Sequence, residues 1–232
     1  MLFELTLVKY KKMNKIQTVF RIVLLYTFSI LFINCNKDVV EPEVPIVNYS
    51  NFTDSRDGKI YKTTKIKNQE WMAENLSFKV DNGSWNAGGS EEYAKFGRLY
   101  TWDAAKKAVP LGWHLPSDAE WKQLEMVLGM SQEEADATEW RGTNIGIKLK
   151  ALNVWADTGK GTDDVGFTAL PGGFRSNSSS TYYAINFHGY WWTASEYDNS
   201  TAWFRYLSYK STQVFRKYSF KEEAYSVRCV KD

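Results

Sequence analysis

The chain has 232 residues, 29 basic against 27 acidic side chains, and 16% aromatic residues. That length holds one ordinary domain with an extension and is cramped for two. Balanced charge excludes the basic face of a nucleic-acid binder, the 10 Trp and 14 Tyr exclude a disordered chain, and two Cys with two His exclude a zinc finger, an iron–sulfur cluster or a disulfide framework.

Lys9, Lys11, Lys12, Lys15 and Arg21 precede the uncharged, mostly apolar run Ile22 to Ile33. A basic segment before a short apolar one is the anatomy of a secretory signal, and the run is short for a membrane span. Residues 1–34 are therefore expected to be removed, with Met13 a plausible alternative start to Met1. Cys35 directly follows, as in the bacterial lipoprotein signals this segment resembles, where that cysteine is acylated; Phe32 and Asn34 stand where those signals usually carry Leu and a small residue. The segment after residue 34 is near −2, because the first 34 residues hold five basic side chains and one acidic. Residues 35–52 read as the lipidated cysteine and a Pro-punctuated tether, and residues 53–232 as the domain.

Asp57-Gly58 is a turn signal rather than a calcium loop, since Thr53 and Ser55 stand where acidic ligands would be needed. Lys59 to Lys67 reads as a strand with Ile60, Thr64 and Ile66 on one face, turning at Asn68 into a partner over Gln69 to Leu76. A short helix is expected over Thr101 to Val109. A second, over Ser117 to Leu128, opens with the capping box Ser117-Asp118-Ala119-Glu120 and turns Trp121, Leu124, Val127 and Leu128 to the core. A third stretch, Asn144 to Leu152, places Ile145, Leu149 and Leu152 inward and Lys148 and Lys150 outward. From Gly166 the chain reads as strands and turns: Gly166 to Leu170, Tyr190 to Ser195, Ala202 to Tyr209, Gln213 to Tyr218 and Ala224 to Val230.

The blocks GRLYTWDAAK, GWHLPSDAEWKQL, GIKLKA, GTDDVGFTALPGGFR, GYWWTASEYDNSTAWFRYLSY and YSVRCVKD, in that order, resemble the Fibrobacter succinogenes major paralogous domain over about Ser55 to Asp232. The resemblance implies an α+β, C-type-lectin-like domain with twisted antiparallel sheets and two or three short helices. It also implies a secreted or lipid-anchored protein of Bacteroidetes-like bacteria. Many relatives carry cysteines before the GRLYTW block; here that stretch has none, leaving Cys229 unpaired and expected to be a small buried hydrophobe.

No CxxC, HExxH, GxSxG, GxxxxGK or GxGxxG occurs, and a single Cys229 cannot repeat the paired active-site cysteines of formylglycine-generating enzymes. His114 and His188 lie near no nucleophile and read as structural. Asp163 and Asp164, in a Gly-rich loop, are too few for a calcium site and read as loop solvation; the EPN, QPD and WND tripeptides of calcium-dependent lectins are absent. No metal, cofactor or catalytic residue is assigned. The remaining candidate surface is aromatic: Trp192, Trp203, Tyr206 and Tyr209, in the strand-rich half, form the candidate ligand platform, with the loops Ser84 to Glu92 and Ser176 to Asn186 as the fallback. Alternation puts Trp203, Arg205, Leu207 and Tyr209 on one strand face and Phe204, Tyr206 and Ser208 on the other. The expected function is a non-catalytic envelope lipoprotein, anchored in the outer membrane, acting as a binding or adhesion module for a surface glycan or an envelope protein. An accessory subunit of an envelope complex is the alternative, and an envelope enzyme comes third.

Overall fold

A computed structural model describes residues 47–157, 159 and 161–232. Cys35, the signal 1–34 and the tether up to residue 46 lie outside the described residues. Strand β1 (Tyr49–Thr53) pairs antiparallel with β2 (Ile60–Ile66), Tyr49 opposite Thr64 and Thr53 opposite Ile60. The folded sheet thus takes in Tyr49 to Phe52, which were expected to be tether. Between these strands the Asp54 carboxylate accepts from the Arg56 N–H (3.1 Å) and guanidinium (2.6 Å), and the Gly58 N–H donates to the Asp54 carbonyl. That is the expected turn. Ile60, at the mouth of the turn, is exposed rather than sharing a buried face with Thr64 and Ile66.

Lys67 and Asn68 link β2 to β3 (Gln69–Met72) as a two-residue hairpin, with Lys67 at positive φ. A small hairpin follows, β4 (Ser84–Asn86) with β5 (Arg98–Tyr100). Helix α1 (Trp102–Ala108) is capped by the Thr101 hydroxyl, which accepts from the Ala104 N–H. After β6 (Trp113–His114), α2 (Asp118–Val127) starts at the expected capping box: the Ser117 hydroxyl accepts from the Glu120 N–H while the Glu120 carboxylate accepts from the Ser117 N–H. Such caps contribute about 0.5–2 kcal/mol. Trp121, Leu124 and Leu128 are buried as expected, but Val127 is exposed at the margin of that face.

Ser131 caps α3 (Gln132–Asp136), β7 (Glu139–Arg141) follows, and α4 (Ile145–Leu149) is shorter than the expected third helix. The described residues therefore hold four α-helices, one more than the resemblance implies. Because α4 stops at Leu149, the helical face does not extend to Leu152, which is exposed. Nor does it extend to Lys150, whose extended backbone turns the side chain inward. Lys150 is buried over the Trp155 ring, and its Nζ donates to the Ser211 carbonyl (2.7 Å). Gly166 to Leu170 is not a strand; Ala169 bridges to Lys150 by single backbone pairing.

The hairpin β8 (Phe174–Arg175) and β9 (Tyr182–Tyr183) precedes three strands, β10 (His188–Glu196), β11 (Thr201–Ser208) and β12 (Val214–Phe220), and β13 (Val230–Lys231) ends the chain. One sheet has the order β1-β2-β3-β13-β6, the other β10-β11-β12-β7, all antiparallel. The molecule is α+β. The second sheet is buried on both faces along part of its length: adjacent Trp191 and Trp192 are both fully buried, Trp191 in a cluster with Trp71, Trp121, Leu124 and Phe167, and Trp192 in a cluster with Tyr100, Phe204 and Tyr225. Two cores on opposite faces account for the aromatic density of the C-terminal half.

Helix α2 is held to the second sheet by buried charge. Glu125 accepts from Arg141 Nη2 (2.9 Å) and Arg205 Nε (2.7 Å); Asp118 accepts from Arg205 Nη1 (2.7 Å) and Arg216 Nη2 (2.8 Å). All five side chains are buried. Ala224 to Val230, expected as one strand, is extended but shares its hydrogen bonds among several partners. Tyr225 exchanges bonds with Tyr100, Ser226 donates to Tyr190 and accepts from Trp192, and the Val227 and Cys229 carbonyls accept from Leu76 and Met72. This segment joins both sheets and the β4-β5 hairpin. Cys229 within it is fully buried, and burial pushes its thiol well up from the ordinary range. Among the described residues no helix is long and apolar enough to cross a membrane.

Candidate functional site

Sheet register decides where the platform residues go. Tyr190 lies opposite Tyr206, Tyr206 opposite Phe215, and Phe215 opposite Trp140, so one aromatic side chain from each of β10, β11, β12 and β7 falls in a single transverse row. Directly opposed side chains on one face are the closest neighbours a sheet offers. Tyr190 and Tyr206 stack with centroids 4.6 Å apart and planes 9° apart; Phe215 meets Tyr206 at 5.6 Å and Trp140 at 5.1 Å, both edge-on. Beyond β10 the row continues through Phe174 (5.0 Å from Tyr190) to Tyr183 (5.2 Å from Phe174). Four strands at a spacing of about 4.8 Å make this a shelf about 14 Å across before the β8-β9 hairpin extends it. Its ends, Tyr183 and Trp140, are exposed, and the rings between them are half-buried.

His188 lies at one margin of the shelf, its Nδ1 3.4 Å from both the Tyr190 and Tyr206 hydroxyls. Burial lowers its pKa, and burial raises those of Tyr190 and Tyr206, so all three are neutral near pH 7. The shelf offers ring faces and hydroxyl groups without charge. It can stack on a ligand ring and hydrogen-bond to it.

Of the four expected platform residues, Tyr206 is at the centre of this row. Tyr209, just past the end of β11, packs against the Trp121–Trp191 core and meets the row only at its margin, against His188 (6.0 Å) and Phe187 (5.1 Å). Trp203 faces the other side of the sheet, under the Arg216 guanidinium (3.8 Å) and edge-on to Tyr197 and Tyr218. Trp192 is not a platform residue at all: it is core, and its indole N–H donates to the Tyr100 carbonyl (2.8 Å). Trp140, Phe174, Tyr183, Tyr190 and Phe215 complete the shelf although they were not in the expected set. Tyr190 stands in the aromatic run Tyr190-Trp191-Trp192 and Tyr183 in the fallback loop Ser176 to Asn186; Trp140, Phe174 and Phe215 join through pairing that local sequence does not specify.

The remaining polar candidates are structural. His114 bridges Glu120 and Asp232, each at 2.8 Å; burial pulls its pKa down, but the two carboxylates outweigh burial and raise it. The Asp163 carboxylate accepts from the Thr168 N–H and hydroxyl, while Asp164 accepts from the Thr162 hydroxyl, so the adjacent carboxylates serve separate partners. Among the described residues no three His, Cys, Asp or Glu side chains gather as metal ligands would. Sequence reading also missed Arg228, fully buried over Phe167, whose guanidinium donates to Asn75 Oδ1 (2.8 Å) and to the Met72 and Thr168 carbonyls. It locks the chain end to the first sheet behind the shelf.

Comparison with known proteins gives a family: the model described as the Fibrobacter succinogenes major domain matches residues 64–231, and the chain belongs to that family. No curated protein and no solved structure matches the chain.

Proposed function

We propose that this member of the Fibrobacter succinogenes major domain family is a non-catalytic binding module of the cell envelope that takes an extended saccharide across the row Tyr183–Phe174–Tyr190–Tyr206–Phe215–Trp140. The observation that carries the reading is the row itself, four rings aligned by sheet register and two more added by the β8-β9 hairpin, left half-open to solvent. Stacking on rings orders few rotatable bonds, and the neutral hydroxyls beside the rings suit sugar hydroxyl groups. The first and last strands lie in one sheet, which supports a C-type-lectin-like arrangement. Acylated Cys35 and the tether would hold the domain to the outer membrane, following the apolar run before Cys35.

A glycan array probed with the full chain tests this. Oligosaccharides should be captured by the wild type and lost from Tyr206→Ala and Trp140→Ala at near-unchanged melting temperature. No capture, or capture indifferent to both substitutions, would overturn it. The alternative, an accessory subunit packed on an envelope protein, draws on the other face of the sheet, where Tyr197 and Tyr218 stack at 3.8 Å beside exposed Phe220. Substitutions there would leave glycan capture intact and abolish co-purification of that partner.

A further inference from the structure

The two loops held as the fallback for binding meet in space. Gly89, at φ +70, lies so close to Tyr182 that a Cβ there would stand 2.6 Å from the ring, which packs the β4 side of the molecule onto the β8-β9 hairpin. Between them opens a groove of about 340 Å³, lined by Trp85, Asp103, Arg175, Asn177, Ser180 and Glu222 among others. That volume is at the lower end for small-molecule sites, about 300–1,000 Å³. Strand alternation links groove and shelf: Phe174 turns onto the shelf, and the next residue, Arg175, turns into the groove.

Arg175 is placed as a binding group would be. Its backbone is fixed on both sides, the N–H donating to Ala224 (3.1 Å) and the carbonyl accepting from Ala224 (3.0 Å). Its guanidinium lies 4.1 Å from the centroid of the Trp85 ring. Among the described residues that guanidinium makes no side-chain hydrogen bond or ion pair, unlike Arg56, Arg141, Arg205, Arg216 and Arg228, each of which is engaged by carboxylates or carbonyls. A guanidinium held over an indole by the ring face, with no partner on its N–H groups, keeps its planar fork available to grip a carboxylate through two parallel bonds. Around it the Asn177 side-chain amide and the Ser180 hydroxyl also make no side-chain bond to one another or to Arg175; Asp103, 3.3 Å from Lys106, and Glu222 are exposed acceptors on the rim, and Lys221 on the same lining is engaged by the Asp198 and Asn199 carbonyls.

That mixture selects among anions. Inorganic phosphate would meet Arg175, but its few hydroxyl groups sit on the same small tetrahedron as its charge, so it has no separate hydroxyl-bearing ring to offer the rim carboxylates. A sugar acid presents a carboxylate to Arg175 and hydroxyl donors to Asp103 and Glu222. We infer that the Trp85–Arg175 groove is a binding site for the carboxylate-bearing residue of an acidic saccharide, of the uronic-acid class. The inference rests on Arg175 and Trp85, not on the aromatic row, and stands or falls separately from it.

The test is calorimetric titration of the full chain in detergent with a glucuronic-acid trisaccharide, with the glucose trisaccharide of the same linkage, and with inorganic phosphate. In the Tyr206→Ala background, which removes the centre of the aromatic row, the acidic trisaccharide should bind, and the other two should be at least about tenfold weaker. Arg175→Gln should weaken acidic binding about 10- to 100-fold through loss of a two-pronged charged contact, at a melting temperature near wild type. Arg175→Lys, which keeps the charge and loses the fork, should recover only part of it, and Tyr206→Ala should leave it unchanged. Should Arg175→Gln fail to fold, the Asn177→Ala, Ser180→Ala double variant carries the test and should weaken acidic binding alone. Equal binding of acidic and neutral trisaccharides in the Tyr206→Ala background, equal binding of phosphate there, no acidic binding by the wild type, or acidic binding unchanged in these groove variants would each overturn the inference.

Discussion

Glu125→Gln removes one buried charge and leaves its partners in place. In the native molecule three guanidinium groups, Arg141, Arg205 and Arg216, face two carboxylates, Asp118 and Glu125, so the buried cluster carries one excess positive charge. The substitution raises that excess to two and replaces an acceptor of three charge-assisted hydrogen bonds, at 3.1, 2.9 and 2.7 Å, with a group that turns an amide donor toward a guanidinium. Breaking a buried pair from one side costs about 3–5 kcal/mol. At about 2–4 °C per kcal/mol for a domain of this size, the melting temperature should fall by about 6–20 °C. The control is Glu139→Gln, which breaks the exposed pair with Lys217 and should leave the unfolding midpoint nearly unchanged. Glu125→Leu combined with Arg141→Leu returns the cluster to one excess charge and should cost less than Glu125→Gln alone. Urea titration with a constant slope against denaturant reads all three. If Glu125→Gln costs no more than Glu139→Gln, the cluster is solvated and does not hold α2 to the sheet.

Burial pushes the Asp118 carboxyl up, but Arg216 and Arg205 outweigh burial and hold it well below its ordinary 3.8. The stability it contributes is therefore whole above that value and drains as pH falls beneath it, and the melting profile of Asp118→Asn should be flatter in acid than that of the wild type. Burial lowers Lys150 from 10.5 to about 8, so between those values the unfolded chain holds a proton the folded one has released and stability rises with pH. Lys150→Met should abolish that rise in melting curves at pH 7.5 and 10. Trp192→Ala should cost about 3–5 kcal/mol, while Tyr209→Ala, at the shelf edge, should cost much less; equal losses in denaturation would refute the separation of core from shelf. A fatty-acid probe should label the wild type and not Cys35→Ala.

The capping box at Ser117 could be read from sequence because its hydrogen bonds join residues three apart. The burial of Trp121 and Leu124 followed from helical period for the same local reason. Lys150 was misread because nothing local says that α4 ends one residue earlier. Strand β1 was misread as tether because its side chains are mostly exposed, and it belongs to the sheet through backbone bonds that leave no mark on composition. The aromatic density of the C-terminal half is consistent either with a sheet covered on both faces or with one face offered outward, and the second sheet does both along different parts of its length. Which ring lies beside which was not legible: Trp140 and Tyr206, 5.0 Å apart, are brought together by a register set across two strand pairs. Arg175 and Trp85 likewise meet only because two separate loops converge.

Val230 pairs with Trp71 on one side and His114 on the other, so the first sheet is closed by the last residues of the chain. Until they arrive, β3 and β6 have no strand between them, Leu76 and Met72 lack acceptors for their N–H groups, and the Asn75 amide has no Arg228 to bind. Contacts this far apart in sequence require loop closure over most of the domain before they return any stabilisation, and folding that depends on them is slow. The second sheet, by contrast, pairs without any residue of β13, so the two sheets differ in how far each depends on distant sequence: one can start from neighbouring hairpins, the other needs a strand from the far side of the domain.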